Sequence, residues 1–181
     1  MKKLLSLFLC AALLLASVSA FAGSDASIDF QDRLQLRGTL PDGYKCTILS
    51  QSDLTMECAV ISDDPAAPRL NIFISFNESY ASAQRLGDLD AETLEWIKSG
   101  FSEENTVTFD MFETASGVSL LLVQETGEDQ DFLDFYTVCQ GHEIDLTLVA
   151  GDGAPGLPLT EEQITNCMEL MRSLDILPVQ G

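Results

Sequence analysis

Basic residues and histidine are scarce in this chain. The 181 residues include 9 Lys and Arg against 29 Asp and Glu, which gives a formal net charge of −20 at pH 7. A chain this acidic repels nucleic acid and anionic lipid, so the composition excludes both as partners. His142 is the one histidine, and neither a histidine triad nor a multi-histidine zinc site can be assembled from it. We expect His142 to be a surface turn residue.

The sequence also lacks the motifs of several enzyme classes. It contains no phosphate-binding glycine loop with its lysine, no dinucleotide fingerprint and no nucleophile elbow. Carboxylates are abundant, and their sharpest group lacks the ligand spacing and the glycine of an EF-hand loop. We interpret this group as solvated turn charges, with a metal site as the alternative; its members are Glu128, Asp129, Asp131 and Asp134. No catalytic residue and no cofactor are predicted.

Long apolar runs are absent beyond the N-terminus. Two lysines precede an apolar stretch at residues 4–16, which is shorter than the ~20 residues of a membrane-spanning helix. Ala20-Phe21-Ala22 matches a signal-peptidase site, and Val18-Ser19-Ala20 is an alternative site. We therefore predict a signal peptide at residues 1–22 and export to a secreted, periplasmic or cell-envelope location. The mature chain is not expected to insert into a membrane.

Four cysteines lie in the predicted mature chain, and this even count permits two disulfides in an exported protein. If the first hairpin reverses at Ser52, Cys46 and Cys58 face each other closely enough to be bridged. Cys139 lies on the core face of its predicted strand, and Cys167 lies on the apolar stripe of the last helix. We predict the pairs Cys46–Cys58 and Cys139–Cys167, with buried free thiols as the alternative for each pair.

The sequence pattern of residues 106–150 predicts an antiparallel β meander. Four apolar or alternating runs follow one another with short turns between them: TVTFDMFET, VSLLLVQET, FLDFYTVCQ and HEIDLTLVA. The second run is apolar on both faces, which predicts a strand that is covered on both sides.

The last hairpin of the meander has a predicted register. A two-residue turn at Gly141-His142 places Phe135 opposite Leu148 and gathers the apolar residues of both strands on one face. The reverse face carries polar side chains that need water or a partner. We predict this face to be a partner surface formed by Asp134, Tyr136, Glu143 and Asp145.

Two helices flank the meander in sequence. Asp90 can cap a helix at residues 91–99, whose apolar stripe has Trp96 beside it. We interpret this tryptophan as an edge of the core, with a ligand platform as the alternative. Thr160 and Gln163 form the capping box of a second helix. We therefore predict an α+β fold: an antiparallel, mainly meander sheet with helices on both faces, in a three-layer α-β-α sandwich.

The order of these elements resembles the PsbP-like fold. Leu40-Pro41-Asp42-Gly43-Tyr44 opens the domain, LDAETLEWIKSGF follows the first strands, and LTEEQI introduces the closing helix after the meander. The resemblance covers residues 40–176. It implies an α-β-α sandwich, found also in small exported bacterial proteins, and docking onto protein assemblies rather than catalysis; it transfers no functional residue. The predicted organisation is a signal peptide (1–22), a leader (23–39) and a single domain (40–178).

The predicted function is a secreted or cell-envelope binding or accessory module without catalysis. Export, one domain, strong acidity and the missing catalytic motifs favour this reading, with a protein partner in the envelope or outside the cell. The alternative is a secreted hydrolase that uses carboxylates, with or without a metal ion. That alternative requires two acids that converge in a cleft with apolar walls.

Overall fold

The computed structural model describes residues 23–31, 33–101, 106–126, 131–150 and 159–179. The predicted signal peptide lies outside these residues. Within the described ranges, no helix combines the length and the apolar character that crossing a membrane requires.

The described chain folds mainly as two antiparallel sheets. The smaller sheet has the order β1-β2-β10 and consists of β1 (Ser24–Phe30), β2 (Leu34–Leu40) and β10 (Asp175–Pro178). The larger sheet has the order β3-β4-β5-β9-β8-β7-β6. Its strands are β3 (Tyr44–Gln51), β4 (Thr55–Ser62), β5 (Arg69–Phe76), β6 (Thr106–Glu113), β7 (Ser119–Thr126), β8 (Asp131–Cys139) and β9 (His142–Val149).

Helices are a minor part of the described structure. Helix α1 (Ala91–Ser99) follows two short 3₁₀ helices at Glu78–Tyr80 and Leu86–Asp88, and helix α2 (Glu161–Ser173) precedes β10. The Thr160 hydroxyl accepts from the Gln163 N–H, and the Gln163 side chain accepts from the Thr160 N–H. The predicted capping box of α2 is therefore confirmed.

The predicted three-layer α-β-α sandwich is wrong, because the described chain is mostly strands in two antiparallel sheets, and the second sheet, together with α2, covers one face of the larger sheet. The difference arises at the two ends of the described chain. Phe30 and Leu34 pair across the β1–β2 hairpin and are completely buried, and Ile176 of β10 pairs with Leu36. Residues 24–40, most of which were predicted to be a leader, thus have the alternation of half-buried strands and supply core residues.

The larger sheet is buried by different elements on its two faces. One face packs against the smaller sheet and α2 in an apolar core that includes Phe30, Met56, Ile74, Phe135, Leu146 and Met171. The Thr39 N–H also donates to the Ser173 hydroxyl at 2.9 Å, which ties β2 to the end of α2. On the other face, a smaller core includes Tyr80, Leu86, Ile97, Leu121, Tyr136 and Val138. These residues come from both 3₁₀ helices, α1, β7 and β8.

The β8–β9 hairpin has a register two residues away from the predicted one. Gln140 and Gly141 form its turn with φ angles of 49° and 75°, so Cys139 pairs with His142. A Cβ at residue 141 would lie 2.9 Å from the Ala81 Cα, which also favours glycine there. His142 is therefore the first residue of β9 and only 4% exposed, not a surface turn residue. A register shift of two residues leaves every side chain on its predicted face of the sheet.

Candidate binding site

Strands β8 and β9 bring the predicted partner-surface residues together on one face of the larger sheet. Tyr136 pairs with Asp145, while Asp134 and Glu143 lie in the next same-face pairs on either side. The Tyr136 hydroxyl donates to Glu143 Oε1 at 2.8 Å. We call these four residues the acidic cluster.

The acidic cluster is not open surface at its centre, which corrects the expected partner surface. Asp134 and Tyr136 are each only 7% exposed, whereas Glu143 and Asp145 are partly exposed. Tyr136 packs in the smaller core together with Tyr80 of the first 3₁₀ helix. Sequence alternation identified the face, but it could not show that the segment between β5 and α1 folds over that face.

Burial changes the acid–base properties of the cluster. Burial raises the pKa of the Asp134 carboxyl to about 7, and the charges of Asp145 and Glu125 act in the same direction. Burial, together with the charge of Glu143, raises the pKa of Asp145 to about 6. Asp145 Oδ1 is buried and has no hydrogen-bond partner among the described residues. These carboxyls therefore take up protons not far below neutral pH.

The predicted metal candidates are only partly described. Glu128 and Asp129 lie outside the described residues, Asp131 is the first residue of β8, and Asp134 belongs to the acidic cluster. Over the part of the chain that the structure describes, no three His, Cys, Asp or Glu side chains are arranged to hold a metal ion.

No disulfide joins the four described cysteines in the structure. Cys46 pairs with Val60 and Cys58 with Ile48, so the predicted direct opposition of Cys46 and Cys58 is wrong by two residues. Both thiols still share one face, and a hydrogen bond from Cys58 lowers the pKa of Cys46. The same bond and burial raise the pKa of Cys58. The Cys46–Cys58 disulfide stays a prediction.

Cys167 belongs to the apolar core on the face of the larger sheet that meets the smaller sheet and α2, and Cys139 packs against this core. Cys167 lies on the buried side of α2, and burial raises the pKa of its thiol to about 12. A protonated, apolar thiol is well suited to this position as a small core side chain. The Cys139–Cys167 disulfide likewise stays a prediction.

Helix α1 places its tryptophan on the solvent side. Asp90 caps the helix by accepting the Thr93 N–H at 2.7 Å, and Ile97 is buried against the sheet. Trp96 precedes Ile97 by one residue, which turns its side chain about 100° away around the helix. Trp96 is consequently 66% exposed. The prediction that Trp96 forms an edge of the core is therefore wrong.

An open groove of about 360 Å³ lies between α1 and the first 3₁₀ helix, and we call it the Trp96 groove. It is lined by Asn77, Ser79, Tyr80, Asp90, Glu92, Thr93 and Trp96. The capping bond to Thr93 lowers the pKa of Asp90, so this carboxylate stays charged at neutral pH. The groove thus combines an aromatic face, two carboxylates and several hydrogen-bonding groups.

The sequence contained one usable signal for this groove. Leu94, Ile97 and Phe101 recur at helical spacing, and Trp96 falls outside that stripe. The second wall could not be inferred in this way, because it comes from Ser79 and Tyr80 of a short 3₁₀ helix and from its N-cap Asn77, which have no strong sequence pattern.

Comparisons with known proteins give no family for this chain. No family model matches it, and no curated protein matches it in sequence. A crystal structure from Bacteroides thetaiotaomicron VPI-5482 is similar over 77% of this chain, with a TM-score of 0.36 and 10% identity. This chain spans 44% of that protein.

Proposed function

We propose that this protein is an exported, non-catalytic binding module that docks a basic segment of a partner protein in the Trp96 groove. The observation that carries the proposal is the exposed Trp96 ring beside the carboxylates of Asp90 and Glu92. A Lys or Arg side chain over a tryptophan face is attracted by the ring quadrupole, with about 0.5–1 kcal/mol at an exposed site. A neighbouring carboxylate adds a charge-assisted hydrogen bond to the same cation.

The charge of the whole chain supports the same choice of partner. A formal net charge of −20 attracts a basic segment over distances longer than the groove itself and repels acidic competitors. Electrostatic attraction of this kind mainly raises the association rate and the selectivity. The exposed Trp96 then supplies a short-range contact that the overall charge does not.

The geometry favours binding over carboxylate-based hydrolysis. A hydrolase of that kind needs its two acids at the wall of a cleft that admits substrate. Asp90 and Glu92 line the Trp96 groove, but Asp90 accepts the capping bond from Thr93 and its pKa is lowered, so it is not suited to act as the general acid. Asp134 and Asp145 have raised pKa values, but Asp134 is buried and neither residue lines the Trp96 groove. Burial and the charges of neighbouring acids account for these raised pKa values.

Calorimetric titration with an end-capped peptide of alternating arginine and glycine tests the proposal. We expect the double variant Asp90→Asn/Glu92→Gln to bind the peptide about tenfold more weakly at low salt. Asparagine is as good an N-cap as aspartate, so α1 should keep its start. The matched control is Asp53→Asn/Glu57→Gln, which removes two exposed carboxylates elsewhere. Equal affinities for the two double variants would contradict docking at this groove.

A further inference from the structure

A second open groove, of about 460 Å³, lies where the β8–β9 turn meets the end of β10, and we call it the His142 groove. It is lined by Arg33, Leu54, Phe76, Gln140, His142 and Val179. The Val179 N–H donates to the Arg33 carbonyl at 2.9 Å, which joins two of its walls. None of these residues lines the Trp96 groove.

The His142 imidazole has a defined orientation and an acceptor nitrogen. Nδ1 lies 2.9 Å from the Gln140 carbonyl oxygen, and a carbonyl only accepts, so Nδ1 carries the proton. Phe30 and Phe76 hold the ring edge-on, with ring centroids 5.5 and 5.3 Å away. Burial lowers the pKa of His142, as does the nearby Arg33, so the ring is neutral at pH 7. Nε2 is therefore a hydrogen-bond acceptor.

Nε2 of His142 is buried and has no hydrogen-bond partner among the described residues. Buried polar atoms are usually satisfied by protein, water or ligand, because an unmade hydrogen bond is costly. Arg33 is exposed, and within the described ranges it forms no ion pair. The groove thus offers one acceptor, one guanidinium fork and the apolar surfaces of Leu54, Phe76 and Val179.

This combination of groups selects a class of ligand. A divalent metal is disfavoured, because His142 is the one histidine and Arg33 is a neighbouring cation. A carboxylate matches the guanidinium fork, and an N–H donor next to that carboxylate matches Nε2. An aliphatic side chain on the same ligand matches the apolar walls.

We propose that the His142 groove binds the terminal carboxylate of an acylated apolar amino acid, as found at the C-terminus of a peptide or in a free N-acyl amino acid. The carboxylate pairs with Arg33, the amide N–H donates to His142 Nε2, and the side chain packs against Leu54, Phe76 and Val179. This site is independent of the proposed Trp96 groove, whose end-capped test peptide carries no carboxylate.

The imidazole ¹⁵N resonances of the full protein report binding directly, because His142 is the one histidine. Titration with N-acetyl-leucine at physiological ionic strength, where surface repulsion is screened beyond about 8 Å, should move the Nε2 signal and saturate. N-acetyl-leucinamide lacks the carboxylate and 4-methylpentanoate lacks the N–H, so each should bind about tenfold more weakly. A tripeptide with a free C-terminal leucine should bind at least as tightly as N-acetyl-leucine.

Arg33→Gln should weaken binding of N-acetyl-leucine about tenfold, whereas Arg37→Gln, at another exposed position of the same hairpin, should not. An Nε2 signal that stays fixed up to the solubility limit of N-acetyl-leucine would overturn the proposal. Equal affinities of N-acetyl-leucine and its amide, or of the two arginine variants, would overturn it as well.

Discussion

The two faces of the larger sheet are buried in chemically different ways. The face toward the smaller sheet and α2 is apolar, with Phe135 and Leu146 completely buried. The opposite face buries the Asp134 carboxyl and the Tyr136 phenol and partly buries the Asp145 carboxyl. Burial of apolar surface stabilises a fold by about 25 cal/mol per Å², whereas burial of a carboxylate costs free energy unless it is fully paired. The first face therefore provides stability, and the second makes that stability depend on pH.

The largest expected effect is on the apolar face. Phe135 is completely buried and makes an edge-on contact with Phe112, with ring centroids 5.7 Å apart. Phe135→Ala should lower the free energy of unfolding by about 3–5 kcal/mol, because it removes apolar contacts and leaves a cavity. Denaturant unfolding measures this loss. A cost below about 1 kcal/mol would mean that the face is not a packed core.

The second prediction concerns the pH dependence that the polar face produces. The Asp134 carboxyl has a pKa raised from 3.8 to about 7, so the folded protein holds this proton more tightly than the unfolded chain. Its contribution to stability is complete below about pH 4 and is lost as the pH rises toward 7. Asp134→Asn should remove this loss. At pH 8, the free energy of unfolding of this variant should therefore be roughly 2–4 kcal/mol higher than that of wild type.

The difference in stability between wild type and Asp134→Asn separates the titration of Asp134 from that of His142. Burial lowers the pKa of His142, so its contribution to stability is present above its ordinary pKa and is lost as the pH falls. That opposing effect occurs in both proteins and cancels in the difference. Asp53→Asn, at an exposed position, controls for the removal of one negative charge. If the two variants changed stability equally across this pH range, burial of Asp134 would not be the cause.

A smaller effect is expected from the hydrogen bond within the acidic cluster. Tyr136→Phe removes the donor to Glu143 but keeps the ring in the smaller core. The free energy of unfolding should fall by about 1 kcal/mol at neutral pH, as for a typical hydrogen bond. Thermal unfolding of the variant beside wild type measures it. No change would indicate that water replaces the hydroxyl at Glu143.

The smallest effect on stability is expected from Trp96→Ala. The side chain is 66% exposed, so the change in unfolding free energy should stay within about 0.5 kcal/mol. Binding of a basic peptide should nevertheless weaken clearly. This combination of effects would distinguish a ligand-binding residue from the residues of the two buried faces. Leu49→Ala provides a control, because Leu49 is also an exposed large side chain. A stability loss like that of Phe135→Ala would show that Trp96 belongs to the core after all.

The sequence predicted local features of the fold better than its layers. Alternation located the strands of the meander, and the capping residues Asp90 and Thr160 located the starts of both helices. The hairpin registers were wrong by two because alternation fixes the face of a residue but not its partner along the strand. At the β8–β9 turn, Gln140 takes a positive φ that its residue type does not announce.

The layers were mispredicted because they depend on contacts between distant segments. Phe30 in β1 and Ile176 in β10 belong to the same small sheet, although they lie at opposite ends of the described chain. The sequence of neither strand indicates that the other strand lies in the same sheet. The groove at Trp96 could not be predicted for the same reason. Its walls come from the 3₁₀ helix at Glu78–Tyr80 and from α1, and the exposure of Trp96 follows from how α1 rests on β7 and β8.

The emission of Trp96 is the most direct measure of the proposed function, because the chain contains one tryptophan. Titration with the end-capped arginine-glycine peptide should change the intensity or wavelength of this emission and saturate. The change should weaken as salt is added and be absent with a matched glutamate-glycine peptide. Emission that stays constant while calorimetry detects binding of the basic peptide would contradict docking at Trp96.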